Sequence, residues 1–333
     1  VIHKIRTIDA HAAGEPLRLI VEGMPNPEGA TMLEKRAWAQ KHVDHLRRSL
    51  MLEPRGHADM YGALLTEPVT PGALAGVLFM HNEGWSTMCG HGVIAVTTIA
   101  IERELAWSGE ATMILDSPAG PIEARPTMRT LNGQRRVTSV AFRNVPSFVF
   151  EAALPVRVGT RTIPVDIAFG GAFYAIADAE AVGLPIDAAR LPDLRRVGME
   201  IKREVERLRQ VVHPLDAGLK EIYGTIFTAP PQHAEAHLRN VTIFADAEVD
   251  RSPCGTGTAA VMAVLSEMGV LFEDSPFVHE SVVGTLFTGR ITGRTQVGEH
   301  AAIIPEIEGS AWITGEHTFL IDGDDPLKAG FRL

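Results

Sequence analysis

The chain has two cysteines, Cys89 and Cys254, and both open the same pattern. The first reads Cys89-Gly90-His91-Gly92-Val93-Ile94-Ala95-Val96, and the second Cys254-Gly255-Thr256-Gly257-Thr258-Ala259-Ala260-Val261. Two cysteines serving only as small buried hydrophobes would have no reason to share a Gly-rich context. Each Cys-Gly-x-Gly precedes small and apolar residues with no polar face, so each thiol is expected at the N-terminal end of a buried helix. First-turn N–H groups lack intrahelical partners, and with the helix dipole they attract an anion. A thiol placed there is expected to have its pKa lowered from about 8.5, toward a usable thiolate. The glycines let a ligand come close to the backbone.

Two such ends converging would enclose a small anionic ligand between two sulfurs. A thiolate on one side and a thiol on the other suit proton exchange at a stereocentre. One sulfur removes a Cα proton and the other returns one from the far face, while backbone donors stabilise the charge forming on the carboxylate. This chemistry needs no metal and no pyridoxal, so no cofactor is expected.

Three readings compete. Gly90-His91-Gly92-Val93-Ile94-Ala95 and Gly255-Thr256-Gly257-Thr258-Ala259-Ala260 both fit the looser dinucleotide fingerprint G-x-G-x-x-A. That fingerprint expects its first Gly directly after a strand, whereas about eight loop residues are expected here. Zinc lacks a Cys-x-x-Cys or His-x-x-x-His pair, and the thirteen histidines are scattered. A disulfide switch would leave the glycines and helix ends unexplained. From outside catalysis, a protein that closes two lobes on a small anionic ligand is also compatible.

The elements that must position the thiols follow from the pattern. Strands are expected over 2–8 and 17–22, around a turn at Ala13-Gly14-Glu15-Pro16. Thr31 and Glu34 form a capping box that starts a helix running to about Ser49. Strands at 60–67 and 76–81 lead through a loop to Cys89, with a helix from Gly90 to about Leu105. Strand-like runs fill 111–150 and 163–177, where the Gly170-Gly171 pair suggests a bulge or close backbone approach. An amphipathic helix is expected over 191–212. Strand 240–245, a polar loop from Asp246 to Pro253, Cys254 and a second apolar helix then repeat the first plan. Late strands at about 282–292, 300–305 and 311–320 make the end mostly β.

This order gives an α/β (α+β) chain of two similar domains, each a mostly antiparallel sheet wrapped around a central apolar helix. The first lobe is placed at 1–125, with the strands from about 300 to 333 able to return to it, and the second at 126–299. A single doubly wound sheet would need regular strand–helix alternation, which the middle does not show. The 333 residues are enough for two cores, and 45% apolar with 22% charged is ordinary globular composition. A formal charge of −10 without a basic block argues against nucleic acid or an anionic membrane as partner. There is no signal-like segment and no apolar run long enough to span a bilayer, so a cytoplasmic enzyme is expected. The partner expected is a small molecule, and a homodimer is allowed.

At Met88-Cys89-Gly90-His91-Gly92 and Asp250-Arg251-Ser252-Pro253-Cys254-Gly255-Thr256-Gly257 the chain resembles the proline racemase superfamily. That superfamily includes hydroxyproline epimerases and trans-3-hydroxy-L-proline dehydratases. Glu53-Pro54-Arg55-Gly56-His57 and Phe287-Thr288-Gly289 match more loosely, and the likeness runs from about residue 5 to 320. It implies two domains of the diaminopimelate-epimerase-like type with the site in the cleft between them. It further implies Cys89 and Cys254 as the acid/base pair on proline or a hydroxyproline. Gly90, His91, Gly255 and Thr256 would line the substrate site, and Asp250, beside His91, would hold the ring nitrogen. The stretches 57–62 and 81–87 look more like the dehydratase branch, which typically carries Thr at the second catalytic position, where this chain has Cys254. The two thiols favour a racemase or epimerase, with the dehydratase as alternative.

Plainer roles stand beside these. His91 would also serve as a satisfied core histidine and Asp250 as a loop cap. His57, Asp59 and Tyr61 are as readily structural as functional. Arg251 and Ser252 would brace the loop, and Trp38, Trp85, Trp107 and Trp312 are expected as core or surface anchors.

Overall fold

The computed structural model describes residues 2–105, 109, 111–273 and 275–332, so Trp107 lies outside the described residues. The chain divides into two compact units, Val1–Phe142 with Ser310–Leu333, and Arg143–Gly309. The sequence reading set the divisions near 125 and 299.

The first unit contains β1 (Ile2–Ala12), β2 (Glu15–Glu22), α1 (Met32–His42), α2 (Asp44–Met51), β3 (Tyr61–Thr66), β4 (Ala75–His81), β5 (Trp85–Ser86), α3 (Gly90–Glu102), β6 (Met113–Ser117), β7 (Gly120–Leu131) and β8 (Gln134–Arg143). The last strand of the chain, Ala311–Asp322, belongs to it too and pairs antiparallel with β1. β1 and β2 meet across Ala13 and Gly14, both at positive φ, the backbone that a tight two-residue hairpin requires. β2 lies parallel to β3, β3 antiparallel to β4, β4 parallel to β6, and β6 antiparallel to β7. The capping box at Thr31 and Glu34 is present. The helix it starts is not continuous to Ser49, because Val43 sits at φ −126° and ψ 11° and separates α1 from α2. Every residue of α3 from Gly90 to Ile101 is buried, against β1, β2, β3, β7 and the last strand.

The second unit contains β9 (Ser147–Val158), β10 (Arg161–Phe169), β11 (Phe173–Asp178), α4 (Ala179–Val182), α5 (Leu191–Leu208), β12 (Val212–His213), β13 (Asp216–Lys220), β14 (Ile222–Ala229), β15 (Leu238–Phe244), β16 (Glu248–Asp250), α6 (Gly255–Glu267), β17 (Phe277–Glu280), β18 (Leu286–Val297) and β19 (His300–Gly309). Its sheet closes on itself. The neighbours run β9, β10, β11, β14, β15, β17, β18 and β19, and β19 returns to β9 through Ala302↔Phe148 and Ile303↔Ser147. Inside lies α6, buried from Gly255 to Val264 against β9, β10, β11, β18 and β19. Outside lies α5, whose Leu194, Val197, Ile201 and Val205 cover the sheet. α5 ends at Leu208, short of the 212 expected, because Arg209 takes an extended conformation.

The two units repeat each other strand for strand. The hairpin β1/β2 answers to β10/β11, the parallel pair β2/β3 to β11/β14, β3/β4 to β14/β15, and the parallel pair β4/β6 to β15/β17. The α+β reading of two sheets, each around one apolar helix, therefore holds. Among the described residues no helix is long and apolar enough to cross a membrane.

Candidate active site: two cysteine-capped helices

Each loop expected before a cysteine contains a short strand instead of eight irregular residues. β5 pairs back on β4 through Phe79↔Ser86 and Met80↔Trp85, and β16 pairs back on β15 through Thr242↔Asp250 and Phe244↔Glu248. Each strand then hands the chain to a helix whose N-cap is the cysteine.

In the first unit, Cys89 caps α3 from an extended backbone (φ −147°, ψ 110°). Its Sγ accepts the Gly92 N–H at 3.2 Å, so the sulfur occupies the place a Ser or Asp oxygen usually takes at an N-cap. Glycine is required there, since a Cβ on residue 92 would lie 2.8 Å from that sulfur and 2.4 Å from the Phe79 ring. His91 Nδ1 is 3.2 Å from the Cys89 sulfur. The His91 ring takes the Tyr61 ring edge-on at 4.8 Å, and the Tyr61 hydroxyl is 2.6 Å from Ser86 Oγ. Cys89, Gly90 and His91, three of the residues singled out from sequence, thus meet at one helix end, all buried.

In the second unit, Cys254 caps α6 in the same way, its Sγ accepting the Gly257 N–H at 3.3 Å. The route to it differs. Cys89 lies four positions after Trp85, the residue paired with Met80, whereas Cys254 lies six after Glu248, the corresponding partner of Phe244. The longer connection delivers Cys254 at φ +64° and ψ 111°, a region that non-glycine residues rarely enter, at a cost of about 1–3 kcal/mol. Asp250 Oδ1 accepts both the Ser252 N–H at 2.8 Å and the Ser252 hydroxyl at 2.7 Å, and Ser252 Oγ accepts the Cys254 N–H at 3.1 Å. Ser252 does brace the loop, and Arg251 adds a bond to the Val249 carbonyl at 3.2 Å.

Tyr174 was not singled out from sequence, although its strand was. Its fully buried hydroxyl is 2.6 Å from Thr256 Oγ1 and 3.7 Å from the Cys254 sulfur. β11 brings it there after the Gly170-Gly171 turn. A Cβ on Gly170 would lie 2.1 Å from the Thr256 carbonyl oxygen, which is the close backbone approach the glycine pair suggested. No spacing in the sequence connects Tyr174 to a helix 80 residues away.

The electrostatics of this end correct one expectation. Burial pushes the Cys254 thiol up to about 12, and the charge of Asp250 adds to it. The Tyr174 hydroxyl and the Gly257 N–H favour the thiolate, but desolvation outweighs them. Burial likewise raises Asp250 to about 6 against its bonds from Ser252, and holds the Tyr174 phenol well above its usual range. The helix N-terminus therefore does not make Cys254 a ready thiolate. It holds a thiol that keeps its proton.

Of the residues with plainer roles, Trp85 is a core anchor whose Nε1–H donates to Asp44 at 3.1 Å, and Trp38 stands beside His42. Trp312 is an exposed residue stacked on His11 at 5.4 Å. His57 is exposed, with Nδ1 2.7 Å from the Ala58 carbonyl oxygen, while Asp59 is buried at φ +59°.

Fold and sites together define a class: enzymes built from a duplicated sheet-around-helix unit, each copy presenting a cap residue at the mouth of its buried helix. Within that class the chain belongs to the proline racemase family, whose model matches residues 7–332. It is 50% identical over 329 residues to a trans-3-hydroxy-L-proline dehydratase of Bacillus thuringiensis subsp. konkukian, covering 98% of this chain and 97% of that one. It is 41% identical over 332 residues to a proline racemase of Clostridioides difficile, covering 99% and 98%. Among solved structures, a hydroxyproline epimerase from Agrobacterium vitis with bound trans-4-hydroxy-L-proline superposes with a TM-score of 0.90 at 30% identity, covering 99% of this chain and 96% of that one. The relatives are thus isomerases or dehydratases.

Proposed function

We propose that the chain is a cofactor-independent racemase or epimerase that exchanges the Cα proton of proline or a hydroxyproline, with Cys89 and Cys254 as its acid/base pair. One observation carries this reading: both sulfurs cap their helices alike, accepting the Gly92 and Gly257 N–H groups at 3.2 and 3.3 Å. A residue present only as packing would not need that placement twice. Cys254, pushed up to about 12, is the proton donor of the resting pair, which leaves the base to Cys89. Gly90, His91, Gly255 and Thr256 line the substrate. The positive ends of the two helix dipoles favour the carboxylate charge as the Cα proton leaves. Asp250, ionised above about pH 6, receives the ring nitrogen.

A second reading is favoured by the 50% identity to the Bacillus thuringiensis protein named a dehydratase. There Cys89 alone removes the Cα proton and gives it to the departing 3-hydroxyl, so that water leaves, and the resulting cyclic enamine tautomerises to the imine. Both readings share the first step and part at the second. The test is incubation in D2O with L-proline, trans-4-hydroxy-L-proline and trans-3-hydroxy-L-proline. Epimerisation puts deuterium at Cα and changes the optical rotation. Elimination gives a product that borohydride reduces to proline. Absence of exchange and of imine with all three substrates would sink both, and tight binding without either would leave an imino-acid-binding protein.

A further inference from the structure

Next to Cys254 in the chain, at the Pro253 carbonyl, lies a set of fully buried polar side chains that the chemistry above does not use: Asn240, Thr258 and His279. They converge on one backbone atom, the carbonyl oxygen of Pro253. Asn240 Nδ2 donates to it at 3.0 Å and Thr258 Oγ1 at 3.1 Å. His279 holds both donors. Its Nδ1 is 2.9 Å from Thr258 Oγ1, and its Nε2 is 2.9 Å from Asn240 Nδ2. With its one hydroxyl proton given to Pro253, Thr258 accepts from His279, and the imidazole carries its proton on Nδ1. Asn240 Nδ2 stands against the imidazole, 3.1 Å from Nδ1 as well as 2.9 Å from Nε2, and 3.4 Å from the Glu280 carbonyl oxygen. Burial keeps this imidazole neutral, its pKa held down to about 3, so it stays uncharged across the working range.

The Pro253 carbonyl belongs to the peptide that sets φ of Cys254. The N–H of that same peptide is held by Ser252 Oγ at 3.1 Å, and Ser252 in turn by Asp250. Both ends of the unit are therefore tied, the oxygen to Asn240 and Thr258, the N–H to Ser252. A flip of this peptide would break three hydrogen bonds at once. It is also the move by which Cys254 would leave φ +64° for an ordinary extended conformation and take its sulfur off the Gly257 N–H. We propose that His279, acting through Thr258 and Asn240, is a positioning residue that locks the Pro253–Cys254 peptide and so keeps the second thiol at the helix mouth.

This inference rests on the reading of Cys254 as an acid/base residue, and its test separates the two. His279→Leu and the near-isosteric Thr258→Val are compared with wild type by two readouts. One is the alkylation rate of each cysteine by iodoacetamide, mapped by mass spectrometry. The other is Cα exchange with L-proline and the two hydroxyprolines in D2O. Release of the peptide frees the buried Cys254, so its alkylation rises at least tenfold in His279→Leu and severalfold in Thr258→Val, while Cys89 stays within twofold. Epimerisation falls at least tenfold over the same series, so reactivity and turnover move in opposite directions. His279→Asn, which keeps a donor near the Nδ1 position, restores part of both. The double variant is no worse than His279→Leu alone, because both act through one carbonyl. Cooperative melting shows that each variant folds, and Thr258→Val carries the test should His279→Leu fail to do so. Cys254 alkylation within twofold of wild type in a folded variant, or Cys89 and Cys254 rising together, overturns the proposal. If wild type exchanges none of the three substrates, the functional reading fails, and the alkylation pattern still decides the lock.

Discussion

Cys89 and Cys254 cap equivalent helices in equivalent sheets, and each sulfur accepts the N–H of the glycine three residues on. Their surroundings are otherwise unlike. Cys89 arrives on extended backbone and stands against an imidazole, His91. Cys254 arrives at positive φ, on a connection two residues longer, and stands against the hydroxyls of Tyr174 and Thr256 with Asp250 in its loop. The repeated scaffold supplies the position of each thiol, and the loop before it supplies the chemistry. On the proposed reading, the duplicated fold in this way holds a base and an acid that look alike in sequence.

The comparison breaks most sharply at the sulfurs themselves. Cys89→Ala should abolish epimerisation, exchange and any elimination, a loss of more than about 10³-fold in kcat/KM. Cys254→Ala should abolish epimerisation to the same extent but leave Cα deuteration of one enantiomer, read by NMR in D2O. Cys254→Thr separates the two functional readings, since retained imine formation from trans-3-hydroxy-L-proline would favour the dehydratase.

Next in size are the glycines. Gly92→Ala drives a methyl into the Phe79 ring and the sulfur at once and should cost about 2–3 kcal/mol in chemical denaturation. Gly257→Ala meets the Cys254 sulfur and the Ile226 methyl, each at 3.0 Å, and should cost about 1 kcal/mol.

A pH effect marks the second unit. His279 has its folded pKa near 3, below the unfolded value, so its contribution to stability is complete above about pH 6.5 and is lost as pH falls toward 3. The stability difference between wild type and His279→Gln should therefore shrink by about 1.5 kcal/mol between pH 6.5 and 5, measured by denaturant titration at each pH. Asp250 acts in the opposite sense, with its folded pKa raised to about 6, and it is common to both proteins, so it cancels in the difference.

A further effect is expected at Tyr174→Phe. Removing the hydroxyl withdraws one of the groups that favour the Cys254 thiolate, so alkylation of Cys254 should slow while that of Cys89 does not change. Turnover should fall about tenfold, the worth of one hydrogen bond to a charged group.

The architecture was legible because it rests on local patterns. Alternating strands and two helices without a polar face leave little choice but sheets wrapped around them, and the Thr31–Glu34 cap was read directly. The helix-capping segments from Cys89 to His91 and from Cys254 to Thr256 were legible as helix starts because each is contiguous. Tyr174, Asn240 and His279 were not, since they reach α6 only through strand pairing, which no single-sequence spacing encodes. The raised pKa of Cys254 escaped for a related reason. The sequence announces the helix end that favours a thiolate, but not the depth of burial that outweighs it.

The last strand has a consequence of timing. Residues Arg143–Gly309 form a continuous stretch, so the second unit has all its strands, including the two-residue closure of β19 on β9, before the chain ends. The first unit must wait, because the second partner of β1, on the edge away from β2, is Ala311–Asp322, which follows Gly309. During synthesis the unit begun first is the one completed last, and until then the outer edge of β1 is a bare ladder open to wrong partners. Truncation after Gly309 would make that transient state permanent, leaving a complete second unit attached to a sheet with an unguarded edge.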